Sequence, residues 1–395
     1  MLSAVCPARF RMIRLLPVIV PGVVFSLLPT ALAEPVIAEK INAYVRTEME
    51  RQRIPGLAVA VVEHGKITFH GEYGFSNLEH QVPVKAETVF QSGSVAKQFT
   101  ATAVMMLVEE GRLSLDDTLS RHFPDSPASW SKITVRHLLS HTSGMADYPK
   151  DFDLRRDHTE DEYLAIIKAA PLTFAPGERW DYSNLGYVTL GILIHKVTGQ
   201  FYGDFLAERV FQPLGMTTAR VISEADLVPN RAASYRLVNG ELKNVEWVSP
   251  TTNSTADGAL YFTILDLARW DAALYTDTPL PRAVLARMWT PATLNNGQPT
   301  ALWLRLGHRA KPRTSHGVSR RRLAGVQEHD RPSARRGTDH FAARQPGERA
   351  GAEAGARTAR PLSAKIRPAR GQGDRRPGAT GDPQDQGAPV AVVGR

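Results

Sequence analysis

Cysteine is almost absent from the 395 residues: Cys6 is the only one. A disulfide framework and a cysteine-based metal site are thereby excluded, and an oxidising compartment would do the chain no harm. His64, His80 and His122 are scattered without the spacing of metal ligands, so neither metal nor cofactor is expected. Aromatic residues run out late in the chain, where Phe341 is the only one after Trp303. Acidic residues thin out there too: the tail holds 20 Lys and Arg against 8 Asp and Glu, a net of +12, whereas the residues up to Trp303 carry −4 and the whole chain +8. The basic character therefore belongs to a tail too poor in apolar groups to fold alone. A charge run without a base-reading motif does not indicate nucleic acid, and no such partner is expected.

A long apolar run is also missing. "LLPVIVPGVVFSLLP" (15–29) is shorter than the roughly 20 residues a membrane span needs and has two interior prolines. It follows Arg9, Arg11 and Arg14 and ends in "ALA" at 31–33, the charged, apolar, small-residue order of an export signal. Cleavage after Ala33 is expected, giving a periplasmic or secreted bacterial protein with no stable membrane span. A membrane anchor is the alternative, and Met12 an alternative start.

Residues 34–302 are enough for one large domain or two small ones. "GLAVAVVEHGKITFHGEYGFSN" (56–77) reads as two strands joined at His64-Gly65. Helical periodicity covers 97–111, stopped by Gly111, then 185–198, stopped by Gly199, and 263–275. Strands first and a helix-rich middle imply an α+β fold: an antiparallel sheet flanked by helices, with an all-helical region beside it.

The chemistry starts at "VFQSGSVAKQFT" (89–100). Ser94 and Lys97, three apart at the head of a helix, share one face. A serine hydroxyl needs a base beside it, which a lysine of lowered basicity can supply, and the helix start offers backbone N–H groups for an oxyanion. Ser129 and Lys132 in "SWSK" repeat the spacing and read as surface residues ahead of a strand. The first pair differs in its company. "FAPGERWDYSNLGY" (174–187) delivers Tyr182 and Asn184 from a turn, a phenol for proton transfer and an amide to grip a substrate; taken alone, it reads as a buried tyrosine and a capping asparagine. His141 and Ser143 in "SHTSG" invite a triad reading, but the loop reads as a turn that satisfies its own backbone.

With Ser94-x-x-Lys97 and Tyr182-x-Asn184 together, the chain resembles the serine β-lactamase and penicillin-binding family, in its class C-like branch, which also includes D-alanyl-D-alanine peptidases and esterases. The resemblance covers about residues 37 to 302 and takes in "IPGLAVAVV" (54–62), "ITVRHLLSHTSGMADY" (133–148), "FQPLGM" (211–216) and "DGALYFTILDLARW" (257–270). It implies the β-lactamase/transpeptidase-like fold, with Ser94 as acylated nucleophile, Lys97 as its proton partner, Tyr182 as second base and Asn184 as ligand of the substrate amide. The implied substrate is a small molecule or a peptidoglycan-like peptide, cleaved at an amide, ester or β-lactam bond. A non-catalytic penicillin-binding-like protein, or an inactive pseudogene product, is the alternative. Oligomeric state is not legible.

The family's third motif, a Lys or His, then Thr, Ser or Gly, then Gly on a strand lining the cleft, is missing. "SHG" (315–317) is the only in-frame imitation, and nothing strand-like surrounds it. Read one base later with free codon choice, residues 301–307 permit PYGFGW, 319–331 permit HGGAWQGFKSTI and 338–347 permit LITLLLANR. One offset thus yields three family-like segments in family order. A one-base frameshift near residues 296–302, in the gene or in its sequencing, accounts for the composition break, the loss of aromatics and the missing strand together. On this reading 1–33 is a signal, 34–302 an incomplete domain and 303–395 a disordered Arg/Gly/Ala/Pro-rich tail. The C-terminal strands are then missing or scrambled, the edge of the N-terminal hairpin is bare, and the 395-residue chain is unstable or inactive.

Overall fold

The computed structural model describes residues 33–300, apart from 222–224 and 246, together with 340–342 and 390–394. The expected export segment, Ala33 excepted, and most of the 303–395 tail, including "SHG" at 315–317, lie outside the described residues. Helix α1 (Ala33–Gln52) crosses the boundary between two units, 1–43 and 44–395, and every other described element belongs to the second.

The expected hairpin is present. Strand β1 (Gly56–Glu63) is buried as far as Val62, as a strand covered on both faces must be, and pairs antiparallel with β2 (Lys66–Asn77). Between them His64 (φ 52°) and Gly65 (φ 74°) are both left-handed, the two-residue turn whose twist matches that of its strands. Two short strands come next, β3 (Val82–Pro83) against β2 and β4 (Phe90–Gln91).

The helical part comprises α2 (Lys97–Glu109), α3 (Leu119–His122), α4 (Val135–Leu139), α5 (Glu160–Ala169), α6 (Asn184–Thr198) and α7 (Tyr202–Leu206). Gly111 follows α2 in a left-handed turn, and Gly199 closes α6 by donating to His195 O at 2.7 Å. One expectation fails here. A strand is expected just after "SWSK", but Thr134 makes a capping box with His137 and starts α4 there; a good cap outweighs the β preference of a few residues. Ser129 and Lys132 precede it in an exposed 3-10 turn.

Strands β5 (Arg220–Val221), β6 (Tyr235–Val238), β7 (Glu241–Asn244) and β8 (Leu260–Phe262) lead to α8 (Ile264–Ala273), which starts on a capping box of Thr263 and Asp266, and α9 (Arg282–Met288). A three-stranded sheet has the order β4-β8-β5, and β6 pairs with β7. From the tail come β9 (His340–Ala342) and β10 (Val390–Gly394), giving a five-stranded sheet of order β3-β2-β1-β10-β9. The edge of β1, expected to be bare, is therefore covered: β10 runs parallel to it from Ala58↔Val390 to Val62↔Gly394. The reason is local. An unpaired strand edge needs hydrogen-bond partners, and "VAVVG" is a β-branched run that can supply them.

Helices α2 and α6 form the centre of the helical part. Lys97–Leu107 and Asn184–Ile194 are buried without a break, as befits helices apolar all round. Phe99 packs on Trp270 at 4.6 Å between centroids and on Phe211 and Phe262 at 5.5 and 5.9 Å. Polar residues at their N-terminal ends are buried too, and there the site lies. Among the described residues no helix is long and apolar enough to cross a membrane.

Candidate active site

Ser94 sits in a 3-10 turn, Gly93–Ala96, that runs straight into α2, whose first residue is Lys97. The turn is anchored from behind, since β4 pairs with β8 and Ser92 N donates to Leu260 O at 2.8 Å. Three residues of a helical turn bring the two side chains together as the spacing predicts: Lys97 Nζ lies 3.3 Å from Ser94 Oγ. The same nitrogen donates to Asn184 Oδ1 at 2.7 Å and to the main-chain oxygen of Asp257 at 2.5 Å. On the other side of Ser94 Oγ, at 2.6 Å, is the hydroxyl of Tyr182. Lys97 and Asn184 are 3% and 1% exposed, whereas Ser94 and Tyr182 are half-buried. All four residues singled out in the sequence thus meet at one point, with the two in hydroxyl contact nearest to solvent.

Tyr182 is held by the "SHTSG" loop. Gly177 N donates to Thr142 O (2.8 Å), Asp181 N to His141 O (2.9 Å) and Thr173 N to Gly144 O (2.8 Å). Gly144 is required at φ +76°, since a Cβ there would stand 2.1 Å from Phe174 O. Ser143 behaves as a turn residue, its Oγ accepting from Met145 N at 3.2 Å. His141 does more than the turn requires. Its ring stacks on that of Tyr182 (centroids 4.5 Å apart, 30° between planes), and its Nδ1 accepts the Ser183 N–H at 3.3 Å. The α6 cap is Ser183, whose Oγ accepts from Gly186 N at 3.1 Å, so Asn184 is released from capping and turns towards Lys97.

Two acids complete the setting, and sequence reasoning assigned neither. Asp147, exposed, accepts from Asn184 N at 3.1 Å and from Asn184 Nδ2 at 3.3 Å. Both ends of the Asn184 amide therefore engage protein groups in this structure. Asp257 is fully buried, with Oδ2 3.5 Å from the Tyr148 hydroxyl. Both residues lie inside segments that resemble the family, but nothing in their local pattern marks them, because each acts across a long stretch of chain. Burial, and then the nearby Asp257 charge, push the Tyr148 phenol well above its ordinary range; burial, and then Tyr182, push Tyr187 up likewise. Both keep their protons, which leaves Tyr182 as the phenol in contact with Ser94.

Chemically, the cluster offers a hydroxyl in contact with both a lysine and a phenol. Ser94 stands at the N-terminal end of a helix, where backbone N–H groups favour developing negative charge.

A family model described as Beta-lactamase matches residues 41–318. A penicillin-binding protein of Bacillus subtilis (strain 168) is 31% identical over 267 residues, covering 63% of this chain and 58% of that protein. The octameric penicillin-binding protein homologue from Pyrococcus abyssi aligns with a TM-score of 0.56 at 30% identity, covering 65% of this chain and 61% of that one. D-amino acid amidase from Ochrobactrum anthropi SV3, complexed with L-phenylalanine amide, gives 0.56 at 26% identity, over 65% and 76%. The chain spans less than two thirds of the length of the Bacillus and Pyrococcus relatives.

Proposed function

The chain belongs to the beta-lactamase family, and from that premise we propose that it is a serine hydrolase working through an acyl-enzyme on Ser94, with an amide, ester or β-lactam bond as target. The observation that carries the reading is the contact of one hydroxyl with two proton-handling groups, Tyr182 at 2.6 Å and Lys97 at 3.3 Å. Ser94 Oγ bonds to the substrate carbonyl carbon, its proton leaves to the neighbouring group, and that proton returns to the departing nitrogen or oxygen as its bond to carbon breaks. Water then repeats the sequence to free the acid. Two proton inventories fit the heavy atoms around Lys97. As an ammonium it donates three bonds; as a free amine it donates two and accepts the Ser94 proton.

The Bacillus, Pyrococcus and Ochrobactrum relatives support a substrate of the peptide or amide kind, since one is an amidase bound to an amino acid amide and two are penicillin-binding homologues. Export through the 1–33 signal fits that chemistry. The frameshift belongs to the same proposal: a strand bearing the third motif would supply the second oxyanion donor, and the chain as written lacks it. The test is acylation by a fluorescent penicillin and by a small activated ester, read as a mass increase on Ser94, in the 395-residue chain and in one with the frame restored near residues 296–302. Acylation of the restored chain and little of the other is expected; strong labelling of the chain as written would overturn the impaired-chain part, and none in either the hydrolase itself.

A further inference from the structure

We propose that His141 is a positioning residue: by stacking on Tyr182 and holding the residues on either side of it, the imidazole aims the phenol hydroxyl at Ser94 Oγ. The inference rests on the acyl-enzyme reading of this site and names what the "SHTSG" loop contributes to it.

The backbone gives the first sign. His141 takes φ 55°, a left-handed conformation that is uncommon for a residue with a Cβ and free of steric cost for glycine. A loop that served only as a turn would be served better by glycine. A side chain kept at such a place, 5% exposed and so inside the molecule, points to a task for that side chain.

The contacts of the imidazole converge on Tyr182. Its ring lies 4.5 Å from the phenol ring with 30° between the planes, and the rings of Tyr187 and Trp180 stand 5.1 and 6.1 Å from it. Stacking of this kind fixes the plane of a ring as well as its depth. Nδ1 accepts the Ser183 N–H at 3.3 Å, and the His141 main-chain oxygen accepts the Asp181 N–H at 2.9 Å. One residue thus holds 181, 182 and 183 together. The Nδ1 bond also orients the imidazole itself, since a nitrogen that accepts leaves the ring proton on Nε2.

Tyr182 has need of this hold. Its hydroxyl is at the far end of the ring from the backbone, so a small tilt of the ring becomes a large displacement of the oxygen. Tyr182 is also half-buried, and its hydroxyl has to stand 2.6 Å from Ser94 Oγ. The rest of the loop follows suit, Ser183 Oγ donating to Ala146 O at 3.0 Å, but the ring of Tyr182 is met by His141.

The test is ester turnover, with acylation of Ser94 read by intact mass, in the 395-residue chain or in the frame-restored one where that alone turns over. His141→Gly suits the backbone and keeps the main-chain oxygen but removes the ring. A fall of about 10²-fold in kcat with KM little changed is expected; an unchanged kcat would mean that His141 serves the turn alone, and overturns the proposal. His141→Asn serves where the glycine variant does not fold. In a Tyr182→Phe background there is no hydroxyl left to aim, so His141→Gly is expected to lower kcat no further, whereas full additivity overturns the proposal. His141→Phe keeps a stacked ring and is expected to recover about tenfold of the loss; turnover no better than that of His141→Gly overturns it. If neither parent chain acylates Ser94, the hydrolase reading falls and NMR of the tyrosine-labelled chain judges His141 by itself. The Tyr182 ring protons, assigned by their loss in Tyr182→Phe, are expected upfield under the stacked imidazole and to move downfield in His141→Gly. A signal that does not move overturns the positioning.

Discussion

Ser94 and Lys97 have the same spacing as Ser129 and Lys132, and the two pairs came to opposite ends. Both serines occupy 3-10 turns. Lys97 is 3% exposed and reaches Asn184 and Asp257, whereas Ser129 and Lys132 are both exposed, with Trp130 between them as the buried anchor. What separates them is not the motif but what the rest of the chain brings to it: a loop with Tyr182 on one side, a buried backbone carbonyl on the other. A spacing makes two side chains neighbours. Desolvation and partners from distant segments make them a candidate site.

The contrast is most easily broken at the nucleophile. In the frame-restored protein, Ser94→Ala is expected to reduce ester turnover by about 10⁴-fold or more, and residual turnover above that level would move the chemistry elsewhere. Tyr182→Phe keeps the ring on His141 and removes the hydroxyl 2.6 Å from Ser94; a loss of about 10² to 10⁴ in kcat is expected, with KM little changed. Restoring the frame sharpens the comparison from another side. If the frameshift proposed above has removed a strand with one oxyanion donor, the restored chain is expected to gain about 10² to 10³ in kcat over the chain as written, measured with the same ester.

A smaller effect concerns stability next to the second pair. His137 caps α4 by accepting the Thr134 N–H at 3.2 Å, and burial above all holds its imidazole below the ordinary value of 6.5. The unfolded chain therefore binds the proton more readily than the folded one. The stability this contributes is complete above about pH 6.5 and is lost as pH falls from there towards the folded value. His137→Gln, which can accept the same bond without titrating, is expected to flatten that part of a Tm-against-pH curve, and an unaltered slope would show that His137 does not set it. Smallest of all, Ser129→Ala and Lys132→Ala should leave kcat within error and stability within about 0.5 kcal/mol, as checked by thermal melts and ester turnover. Any larger loss of turnover would show that exposure is not what separates the two pairs.

Much of the fold is legible because its signals are local. The β1–β2 turn comes from His64-Gly65, which takes the left-handed geometry a two-residue hairpin needs, and α2, α6 and α8 come from apolar periodicity with a stop or cap at one end. The strand expected just after "SWSK" fails because the β preference of a few residues weighs less than the Thr134 cap. The covered edge of β1 was not foreseen, since composition marks the tail as unfit to fold alone but says nothing of one segment pairing with a strand more than 300 residues away. In the site, Ser94, Lys97, Tyr182 and Asn184 are named by spacing. Asp147, Asp257 and the stacking of His141 on Tyr182 are not, because no pattern of neighbours in sequence encodes a contact made across 37 or 160 residues.

The amino-acid sequence by itself determined which residues can form turns, caps and apolar helices, and which types can act as nucleophile and proton carrier, since these depend on backbone conformation and side-chain chemistry within a few residues. The tertiary structure decided which of two identical spacings is buried among distant partners as the candidate site. Only packing could bury Lys97 and surround its nitrogen with three acceptors, because desolvation and hydrogen bonding act through space and not along the chain.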